Sequence, residues 1–500
     1  MLGLPRPLGE EMLTVHALLL ASCISIDIRR ENQCRIRCGL VRHVAALRVV
    51  ALHRTLLFRI DRMRASCLHL INTTPLRPTS RHEAPPCSPS TGASARALGY
   101  HAATVARMNP TCAKGIHPAV ANLLWTTRAA AWPGTGTMTH AMPISERYTT
   151  IVAGAGPAGV LAAYHAAAKG PVLLAESMSL PRYKSCGGML HHHTLRTLSQ
   201  YGEIPEDIVL SPRTVRFRYH DWDRRVLKPT DLEFLNVDRA RFDEWLTTLL
   251  PSNVELVGNC TLRDVTQDGD SVRASLRVDG ADIDVTCDNL IGADGGRSQV
   301  RRSLGVASTA TYVTLQDFVK LEGPIEPYFD CIYMRDIGDE YAYSYVVPKG
   351  DVAIVGSVYY PRTKRPWEKQ DLTLDILRSA LPELGESVSR EAAAALYLRS
   401  RADVVPGKGR VLLTGEAGGF MSPSSGEGIS YAVNSGRLAG LAVAQGDAAD
   451  ALAAYTSLTA DIRANLFRKM RWLPVMESAV GKVVAGFVPT PIVSKVTQGL

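Results

Sequence analysis

The sequence predicts an α/β protein: a three-layer domain with a parallel sheet core, an inserted antiparallel sheet, and helices at the C-terminus. Three glycine-rich junctions indicate the parallel core, because each follows a short apolar strand and precedes a helix, at residues 149–159, 290–302 and 410–431. Residues 312–405 instead carry alternating, aromatic-rich runs, which are typical of antiparallel strands. The 500 residues are enough for two or more domains.

The first junction is typical of a dinucleotide-binding site. Gly154 permits the tight turn, Gly156 lets the backbone approach a phosphate, and Gly159 lets the helix lie close to the strand. The start of the helix adds free N–H donors and the positive end of the helix dipole. A second strand ends at Glu176, about twenty residues further on, where a carboxylate can bind a ribose hydroxyl. We therefore predict a Rossmann-like domain.

The other two junctions point to a cofactor larger than NAD. At the second, Asp294 can accept hydrogen bonds from cofactor hydroxyls and Gly295 permits close backbone approach. At the third, a strand ends at Gly415 and Glu416, and a long helix is predicted to start near Gly426. The N-terminus of that helix can stabilise the negative charge that a flavin ring develops on reduction. Three such junctions favour FAD.

A loop follows the strand that ends at Glu176, so it should pass near the cofactor. Arg182 and Lys184 in this loop are candidate neighbours of the phosphates or the flavin. Cys186 either presents its thiol to a reactive ring or is an inert buried cysteine, and the residues alone leave both open. Arg239 stands at the start of a predicted helix, where it suits an anion contact, although it can equally be a solvated cation.

Two further groups invite interpretation. His191, His192 and His193 resemble a metal site, but adjacent residues on a helix do not share a face, so no metal is predicted. Tyr343 and Tyr345 alternate along a predicted strand, and they either line a substrate pocket or simply pack the sheet. The antiparallel region interrupts the nucleotide-binding domain, which makes it the natural substrate domain.

The charge divides the chain sharply. The net charge is +8, but residues 1–140 carry +11 and residues 141–500 carry −3. The folded part therefore shows none of the basic excess that nucleic-acid binding requires. We assign residues 1–140 to a leader, 148–310 and 406–447 to the FAD-binding domain, 311–405 to the antiparallel-sheet substrate domain, and 448–500 to a C-terminal helical region.

The leader shows no sustained helical or strand period, and 16 of its 17 cationic residues are arginine. An arginine-rich, acid-poor composition is typical of an organelle transit segment. We favour a wrongly assigned start, with the protein beginning at Met138 or Met142, because such a composition yields no packed core. On that interpretation residues 1–137 are disordered or not part of the natural protein.

The C-terminal residues 480–493 are apolar, but prolines interrupt them and they are too short to span a bilayer. They suit a helix packed on the domain, a lid over an apolar substrate, or a membrane-surface contact. The four cysteines outside the leader lack the spacing of a zinc or disulfide site, which indicates a reducing compartment. We expect a cytoplasmic protein, with peripheral membrane contact as an open alternative.

Taken together, residues 148–440 resemble the FAD-dependent oxidoreductases of the geranylgeranyl reductase type, which are related to flavin-dependent aromatic hydroxylases and halogenases. The resemblance rests on four motifs: Gly-Ala-Gly-Pro-Ala-Gly at 154–159, Lys-Ser-Cys-Gly-Gly at 184–188, Gly-Ala-Asp-Gly at 292–295 with Ser298 and Arg301, and Gly-Glu-Ala-Gly-Gly at 415–419 followed by Ser-Pro at 422–423 and Gly-Glu-Gly at 426–428. It implies that Cys186 lies near the flavin ring and that Arg239 contacts the FAD.

This chain also departs from the family pattern. The reductases carry a Tyr-x-Trp-x-Phe-Pro segment along an isoprenoid pocket, whereas Tyr345 and Val347 stand here at the Trp and Phe positions. The Trp-x-Trp-x-Ile-Pro segment of the halogenases is absent, and so is a lysine in the context of their active site. Glu416 replaces the aspartate that is usual in the hydroxylases, a change that keeps the carboxylate.

We therefore predict an FAD-dependent oxidoreductase that reduces a carbon–carbon double bond of an apolar isoprenoid-like or polyketide-like compound. NAD(P)H or a reduced carrier protein would supply the electrons. The alternatives are a flavin-dependent monooxygenase or halogenase acting on an aromatic substrate, and a non-catalytic, redox-responsive flavin-binding protein. The predicted catalytic residues are Cys186, Tyr343 and Tyr345, and the predicted cofactor-binding residues are Gly154, Gly156, Pro157, Ala158, Gly159, Glu176, Lys184, Arg239, Asp294, Gly295, Gly415, Glu416, Gly426, Gly428 and Ile429.

Overall fold

The computed structural model describes residues 144–307, 309–334, 337–338 and 341–478. The predicted leader and the apolar stretch at 480–493 lie outside the described residues. The strands are β1 Arg147–Ala153, β2 Val172–Ala175, β3 Met189–His191, β4 Val209–Asp221, β5 Val226–Val237, β6 Val254–Val257, β7 Cys260–Asp268, β8 Ser271–Val278, β9 Ala281–Gly292, β10 Thr311–Leu321, β11 Tyr328–Tyr333, β12 Tyr341–Lys349, β13 Val352–Tyr359, β14 Leu384–Leu396, β15 Gly407–Lys408 and β16 Val411–Leu413.

The helices fall between and after these strands, and the last three form the C-terminal part of the described chain. They are α1 Pro157–Ala166, α2 His192–Leu198, α3 Arg239–Thr248, α4 Gln299–Ser303, α5 Pro366–Ala380, α6 Ile429–Gln445, α7 Ala451–Leu458 and α8 Ala460–Met476. Short 3-10 turns lie at Glu206–Ile208, Arg401–Asp403 and Gly415–Gly418.

The first sheet contains the predicted parallel core. Its strands lie in the order β15-β16-β9-β1-β2-β6, and β1 pairs in parallel with β2 and β9. Ala153 at the end of β1 is paired with Gly292 of β9, which in turn is paired with Leu413 of β16. The carboxyl ends of three parallel strands therefore meet at one edge, and a glycine junction follows each of them.

This sheet is the middle layer of three, because its strands are buried on both faces. Val152 packs toward the helical side, in a cluster with Val160 of α1 and Val433 of α6. Ile151, the next residue along β1, packs on the opposite side with Val272 of β8. A strand buried on both faces needs a continuous apolar run, which explains the sequence before the first glycine. The predicted fold class is confirmed.

The second sheet is almost entirely antiparallel. Its strands lie in the order β14-β10-β13-β12-β11-β4-β5-β3, and the pairing of β11 with β4 is parallel. One face is covered by α5 and contains buried aliphatic residues such as Leu315, Val355 and Leu377. The other face carries aromatic residues, among them Tyr345 and Phe318. The aromatic-rich runs thus form an antiparallel sheet, but its aromatic residues lie on both faces, since Tyr359 of β13 and Tyr333 of β11 pack on the α5 side.

The domain assignment needs one correction. The sequence pattern placed all of residues 148–310 in the FAD-binding domain, whereas the structure places β3, β4 and β5 in the antiparallel sheet. The partner strand β11 is more than a hundred residues away from β4 in sequence, with Tyr328 paired to Arg216. Pairing over that separation leaves no signal in local periodicity, so the contribution of these strands could not be seen before the fold was known.

The closest helix contact in the parallel domain joins α1 to α6. A Cβ atom on the buried Gly436 of α6 would lie 2.1 Å from the carbonyl oxygen of Ala158 in α1. One turn further on, a Cβ on Gly440 would lie 2.4 Å from the carbonyl oxygen of Ala162. The two helices therefore pack backbone to backbone, and this contact fixes where the N-terminus of α6 lies.

We expect Gly436→Ala to lower the free energy of unfolding by about 1–3 kcal/mol, because the new methyl group forces the two helices apart. Urea denaturation followed by circular dichroism measures the change. Gly446→Ala is the matched control, since Gly446 has an extended backbone and nothing lies within 4 Å of an added Cβ. Equal stability of Gly436→Ala and the wild type would contradict the close helix contact.

Candidate functional site

The three glycine junctions meet at the carboxyl edge of the parallel sheet. A Cβ on Gly154 would lie 2.5 Å from the carbonyl oxygen of Ala293, which joins the first junction to the second. A Cβ on Gly415 would lie 2.9 Å from the Cβ of Ala158, which joins the third to the first. Both glycines also have a positive φ, of 98° and 55°, which favours glycine. Gly159 completes the turn, because its Cβ would overlap the carbonyl oxygen of Gly154.

The N-terminus of α1 is open toward the first turn. Gly156 is its N-cap, Pro157 is its first residue, and no side chain caps it, so the first backbone N–H groups remain available to a ligand. Arg182 lies over this turn, with Nη2 2.9 Å from the position of a Cβ on Gly156. Ion pairs with Glu176 (3.1 Å) and Asp243 (3.0 Å) hold its side chain, which is 9% exposed. The geometry suits a bound phosphate.

Glu176 is fixed at the end of β2, as the sequence pattern requires. One carboxylate oxygen accepts a hydrogen bond from the N–H of Ala155 at 2.9 Å, and the other accepts from the N–H of Met178 at 3.1 Å. The residue is 5% exposed. These bonds orient the carboxylate beside the glycine turn. Its contact with a ribose hydroxyl stays a prediction.

Glu416 connects the loop after β2 to the second and third junctions. Its Oε2 accepts from Nζ of Lys184 at 3.2 Å, and its Oε1 accepts from the N–H of Leu396 at 3.1 Å. A Cβ on Gly296 would lie 2.7 Å from Oε1, so this glycine leaves room for the carboxylate. Gly295 beside it has a φ of +76°. Lys184 is therefore tied to Glu416, and Arg182 is the cation that lies at the first turn.

The carboxylate of Asp294 is held by hydrogen bonds from residues that follow it closely in sequence. Its Oδ1 accepts from the Ser298 hydroxyl at 2.5 Å, and its Oδ2 accepts from the N–H groups of Gln299 and Val300 at 2.6 and 3.0 Å. Burial raises the pKa of Asp294, and these hydrogen bonds oppose that rise. The carboxylate thus holds the start of α4 against the glycine turn. A contact with cofactor hydroxyls stays a prediction.

The helix α6 begins later than the sequence suggests. Gly426 has a φ of +69°, which a right-handed helix cannot accommodate, so Gly428 becomes the N-cap and Ile429 the first residue. Glu427 accepts hydrogen bonds from the backbone N–H and the hydroxyl of Ser430, both at 2.7 Å. Gly428 itself provides no side-chain cap. The carboxylate of Glu427 thus caps the first turn of α6, and this end of the helix faces the same edge of the sheet as the open end of α1.

Cys186 lies in the loop after β2, half-buried. The N–H of Gly188 points to its sulfur at 3.5 Å, and Arg239 lies beside it. Arg239 is 7% exposed and binds Asp243 through two hydrogen bonds, of 2.9 and 3.1 Å. Burial by itself would lower the pKa of Arg239, but Asp243 and Cys186 raise it overall. The thiol therefore lies next to a permanent positive charge.

Lys349 is a residue that sequence reasoning missed. Its buried Nζ donates to the carbonyl oxygens of Gly188 (3.1 Å) and Val237 (3.2 Å) and to Oδ1 of Asn236 (2.6 Å). These bonds fasten the Cys-Gly-Gly loop to the ends of β5 and β12. Burial lowers the pKa of Lys349 to about 7. The available signal was the Pro348-Lys349-Gly350 sequence directly after the aromatic strand.

The two predicted tyrosines approach the cofactor domain from the second sheet. The Tyr343 hydroxyl donates to the carbonyl oxygen of Ser425, in the loop before α6, at 3.4 Å. The Tyr345 hydroxyl accepts from Nε2 of Gln316 at 2.6 Å, and Oε1 of Gln316 accepts from the Ser185 hydroxyl at 2.6 Å. Burial raises the pKa of both phenols, so both stay protonated near neutral pH. The structure thus brings Tyr343, Tyr345 and the Cys186 loop together.

The three histidines have nitrogens within 4.8 Å of one another; Nδ1 of His191 and Nδ1 of His193 already have other partners, whereas the buried Nε2 of His191 has none among the described residues. Nδ1 of His191 accepts the N–H of His193 at 3.3 Å and so caps α2. Nδ1 of His193 lies against the guanidinium of Arg196, whose charge opposes a bound cation. Burial lowers the pKa of His191 to about 3 and that of His193 to about 4. This arrangement favours a structural role over a metal site.

The assembled residues fit FAD. The open end of α1, the Arg182 guanidinium and a first glycine turn too closely packed for a Cβ suit a pyrophosphate. Carboxylates at the ends of β2 and β16 suit the hydroxyls of the sugar and the ribityl chain. The aromatic face and the Cys186 loop lie beyond them, where a flat ring would be accommodated. None of these features depends on the leader.

Comparison with known proteins agrees with this assignment. The family model described as FAD binding domain matches residues 252–468. Protein CbrA of Escherichia coli O9:H4 (strain HS) is 30% identical over 336 residues, which cover 65% of this chain and 89% of that protein. Protein CbrA of Shigella flexneri serotype 5b (strain 8401) matches to the same extent. The chain belongs to the CbrA family of FAD-binding oxidoreductases.

Solved structures show how widely this fold is used. The geranylgeranyl bacteriochlorophyll reductase-like protein of Thermoplasma acidophilum superposes with a TM-score of 0.58 and 20% identity, over 71% of this chain and 92% of that one. The flavin-dependent brominase Bmp2 superposes with a TM-score of 0.56 and 17% identity, over 71% and 94%. These similarities establish the fold. They do not distinguish reduction from halogenation for this family member.

Among residues 144–478, apart from the few that are not described, no helix is both long and apolar enough to cross a bilayer. The predicted surface contact through residues 480–493 falls outside the described part of the chain.

We expect Gly156→Val to abolish FAD binding while leaving the fold intact, because the branched side chain collides with Arg182 and covers the open end of α1. The flavin absorbance of the purified protein measures occupancy, and circular dichroism measures folding. Gly446→Val is the matched control, in open space. A Gly156→Val protein that retains one FAD per chain would show that this turn is not the phosphate site.

Proposed function

We propose that this oxidoreductase reduces a carbon–carbon double bond of an apolar, isoprenoid-like or polyketide-like compound. The supporting observation is the convergence of the Cys186 thiol and the phenols of Tyr343 and Tyr345 between the aromatic face and the glycine junctions. Bound FAD supplies hydride transfer. The acids in the protein supply what a hydride donor cannot, which is a proton.

The proton balance gives these residues distinct roles. Reduction of a double bond adds a hydride to one carbon and a proton to its neighbour, so the site needs an acid that is protonated in the resting enzyme. Tyr345 accepts a hydrogen bond from Gln316, which leaves its own proton free to be donated. Tyr343 donates to the Ser425 carbonyl. Cys186 and Tyr345 are therefore the stronger candidates for the proton donor.

The aromatic face suits an apolar substrate. Phe329 stacks on Tyr345 with ring centroids 5.3 Å apart, and Tyr183 of the Cys186 loop meets Phe318 edge to face at 6.5 Å. A surface formed by such rings excludes water when a substrate covers it, which would protect a reduced cofactor from side reactions. The aromatic face is therefore suited to contact the hydrocarbon skeleton of a substrate.

Support for a reductase also comes from the motifs. The Cys-Gly-Gly loop resembles that of the geranylgeranyl reductases, and a fold relative in Thermoplasma acidophilum is described as reductase-like. Tyr345 and Val347 replace the Trp and Phe of the reductase pocket, so the compound that binds should differ in shape from a geranylgeranyl chain. The electron donor we propose is NAD(P)H or a reduced carrier protein.

Oxygen-dependent chemistry is the second candidate, because the brominase Bmp2 shares the fold about as closely as the reductase-like protein does. A monooxygenase or halogenase would act on an aromatic substrate. The departures in sequence weigh against a halogenase. A non-catalytic flavin-binding protein is the third possibility, and turnover with any electron acceptor would contradict it.

An anaerobic reoxidation experiment separates these functions. Enzyme reduced with dithionite is mixed under argon with polyprenyl compounds, or with aerated buffer, while flavin absorbance is followed. A reductase should be reoxidised by an unsaturated compound without oxygen, with a saturated product detected by mass spectrometry. Reoxidation that occurs only with oxygen, coupled to an oxygenated or halogenated product, would contradict the proposal.

We expect Cys186→Ser to retain FAD, to be reduced by its donor at the normal rate, and to transfer electrons to the substrate at least about tenfold more slowly, because serine is a far weaker acid than a thiol. Stopped-flow absorbance measures the two half-reactions separately. Cys260→Ala is the control, because it removes a buried thiol that packs on the face of the parallel sheet away from α1 and α6. Equal slowing of both half-reactions would exclude Cys186 as the proton donor.

A further inference from the structure

A line of polar side chains crosses the aromatic face of the second sheet. Glu391 of β14 is paired with Gln316 of β10, Gln316 with Gly356 of β13, and Gly356 with Tyr345 of β12. Directly paired residues on neighbouring strands point to the same face of a sheet. Glu391, Gln316 and Tyr345, which we call the polar row, therefore share the face that looks toward Ser185.

Gly356, the residue without a side chain in this line, makes room for the ring of Tyr345. A Cβ on Gly356 would lie 2.1 Å from Cζ of Tyr345, so the phenol ring lies directly across the glycine. Only in that position does the Tyr345 hydroxyl reach Nε2 of Gln316, at 2.6 Å. The polar row is thus built into the sheet by a residue with no side chain.

The surroundings of the polar row are mainly apolar. Phe318 and Ile354 are paired two residues further along β10 and β13, and Val347 follows on β12. These residues belong to the same aromatic and aliphatic cluster as Phe329. A polar group of a substrate that contacts this face therefore finds its partners along the polar row.

The hydrogen-bonding capacity of the polar row is only partly used. Both ends of the Gln316 amide are occupied, one by Tyr345 and the other by the Ser185 hydroxyl. Oε2 of Glu391 is buried and has no hydrogen-bond partner among the described residues. Burial raises the pKa of Glu391, while the hydroxyls of Tyr183 and Ser185 lower it. A buried carboxylate oxygen without a donor is costly, so a donor is expected when the site is filled.

We propose that the polar row recognises an uncharged hydroxyl group on an otherwise apolar substrate, with Oε2 of Glu391 accepting its hydrogen bond. This assignment rests on the proposed function for the role of the aromatic face as the substrate wall. The polar row contains no cation, and a carboxylate repels a phosphate. The same feature that binds an alcohol therefore discriminates against the phosphate ester of that alcohol.

Farnesol and farnesyl diphosphate test this selectivity, because they share one chain and differ in the head group. Each is titrated into the oxidised holoenzyme, and binding is followed by the change in flavin absorbance. We expect farnesol to bind at least about tenfold more tightly than the diphosphate. Glu391→Gln should weaken farnesol binding about tenfold or more, the size expected for a hydrogen bond to a charged acceptor.

Glu386→Gln is the matched control, since it removes an exposed carboxylate from the same strand. It should bind farnesol as the wild type does. Tighter binding of the diphosphate, equal farnesol affinity in Glu391→Gln, or no response of the wild type to farnesol would each overturn the proposal. If Glu391→Gln fails to hold FAD, Glu391→Asp replaces it, and undiminished farnesol affinity in that shortened variant would likewise overturn the proposal.

The titration needs no electron transfer, so it is independent of the proposed reaction. Farnesol that binds through Glu391 but fails to reoxidise the reduced enzyme under argon would support the recognition and contradict the reductase activity for this compound. Farnesol could also reoxidise the reduced Glu391→Gln variant as fast as the wild type and bind to it with the same affinity. That result would support the reductase activity and would overturn the polar row as the element that recognises the substrate.

Discussion

The close approach of three backbone segments at the carboxyl edge of the parallel sheet is the constraint on which the rest of the structure depends. Gly154 packs against the carbonyl oxygen of Ala293, and Gly415 packs against Ala158. A side chain at either glycine would separate the junctions and move α1 and α6 apart. The N-termini of α1 and α6 would then no longer lie at one place, and the open N–H donors of α1 that suit a dinucleotide would be displaced.

The loop from Arg182 to Gly188 connects the glycine junctions to the second sheet. Its arginine lies over the glycine turn, its Ser185 hydroxyl binds Gln316, and its Gly188 carbonyl accepts from Lys349. The predicted cofactor-binding turn and the second sheet are therefore both in contact with this one short loop. The thiol of Cys186 lies in the middle of this loop, between its contacts with the glycine turn and its contacts with the second sheet.

Burial and hydrogen bonding have different effects on the aromatic face of the second sheet. Burial on the aromatic face raises the pKa of Tyr343 and Tyr345 and so keeps both phenols protonated. The Glu391–Gln316–Tyr345 line provides polarity at one level of that face. An apolar wall with a single polar line suits a substrate with a long hydrocarbon part and one hydrogen-bonding group, which is a narrower class than apolar compounds in general.

The sequence by itself determined the FAD-binding domain, because glycines at Gly154 and Gly415, carboxylates at Glu176 and Glu416 and the period of the flanking elements are local features with local physical causes. It also marked the Cys186 loop and the tyrosine strand. Only the tertiary structure decided that β3–β5 join the antiparallel sheet, that Arg182 rather than Lys184 lies at the first turn, and that Lys349, Gln316 and Glu391 contact the loop around Cys186. Each of these depends on contacts between segments far apart in the chain, and local periodicity carries no information about such pairings.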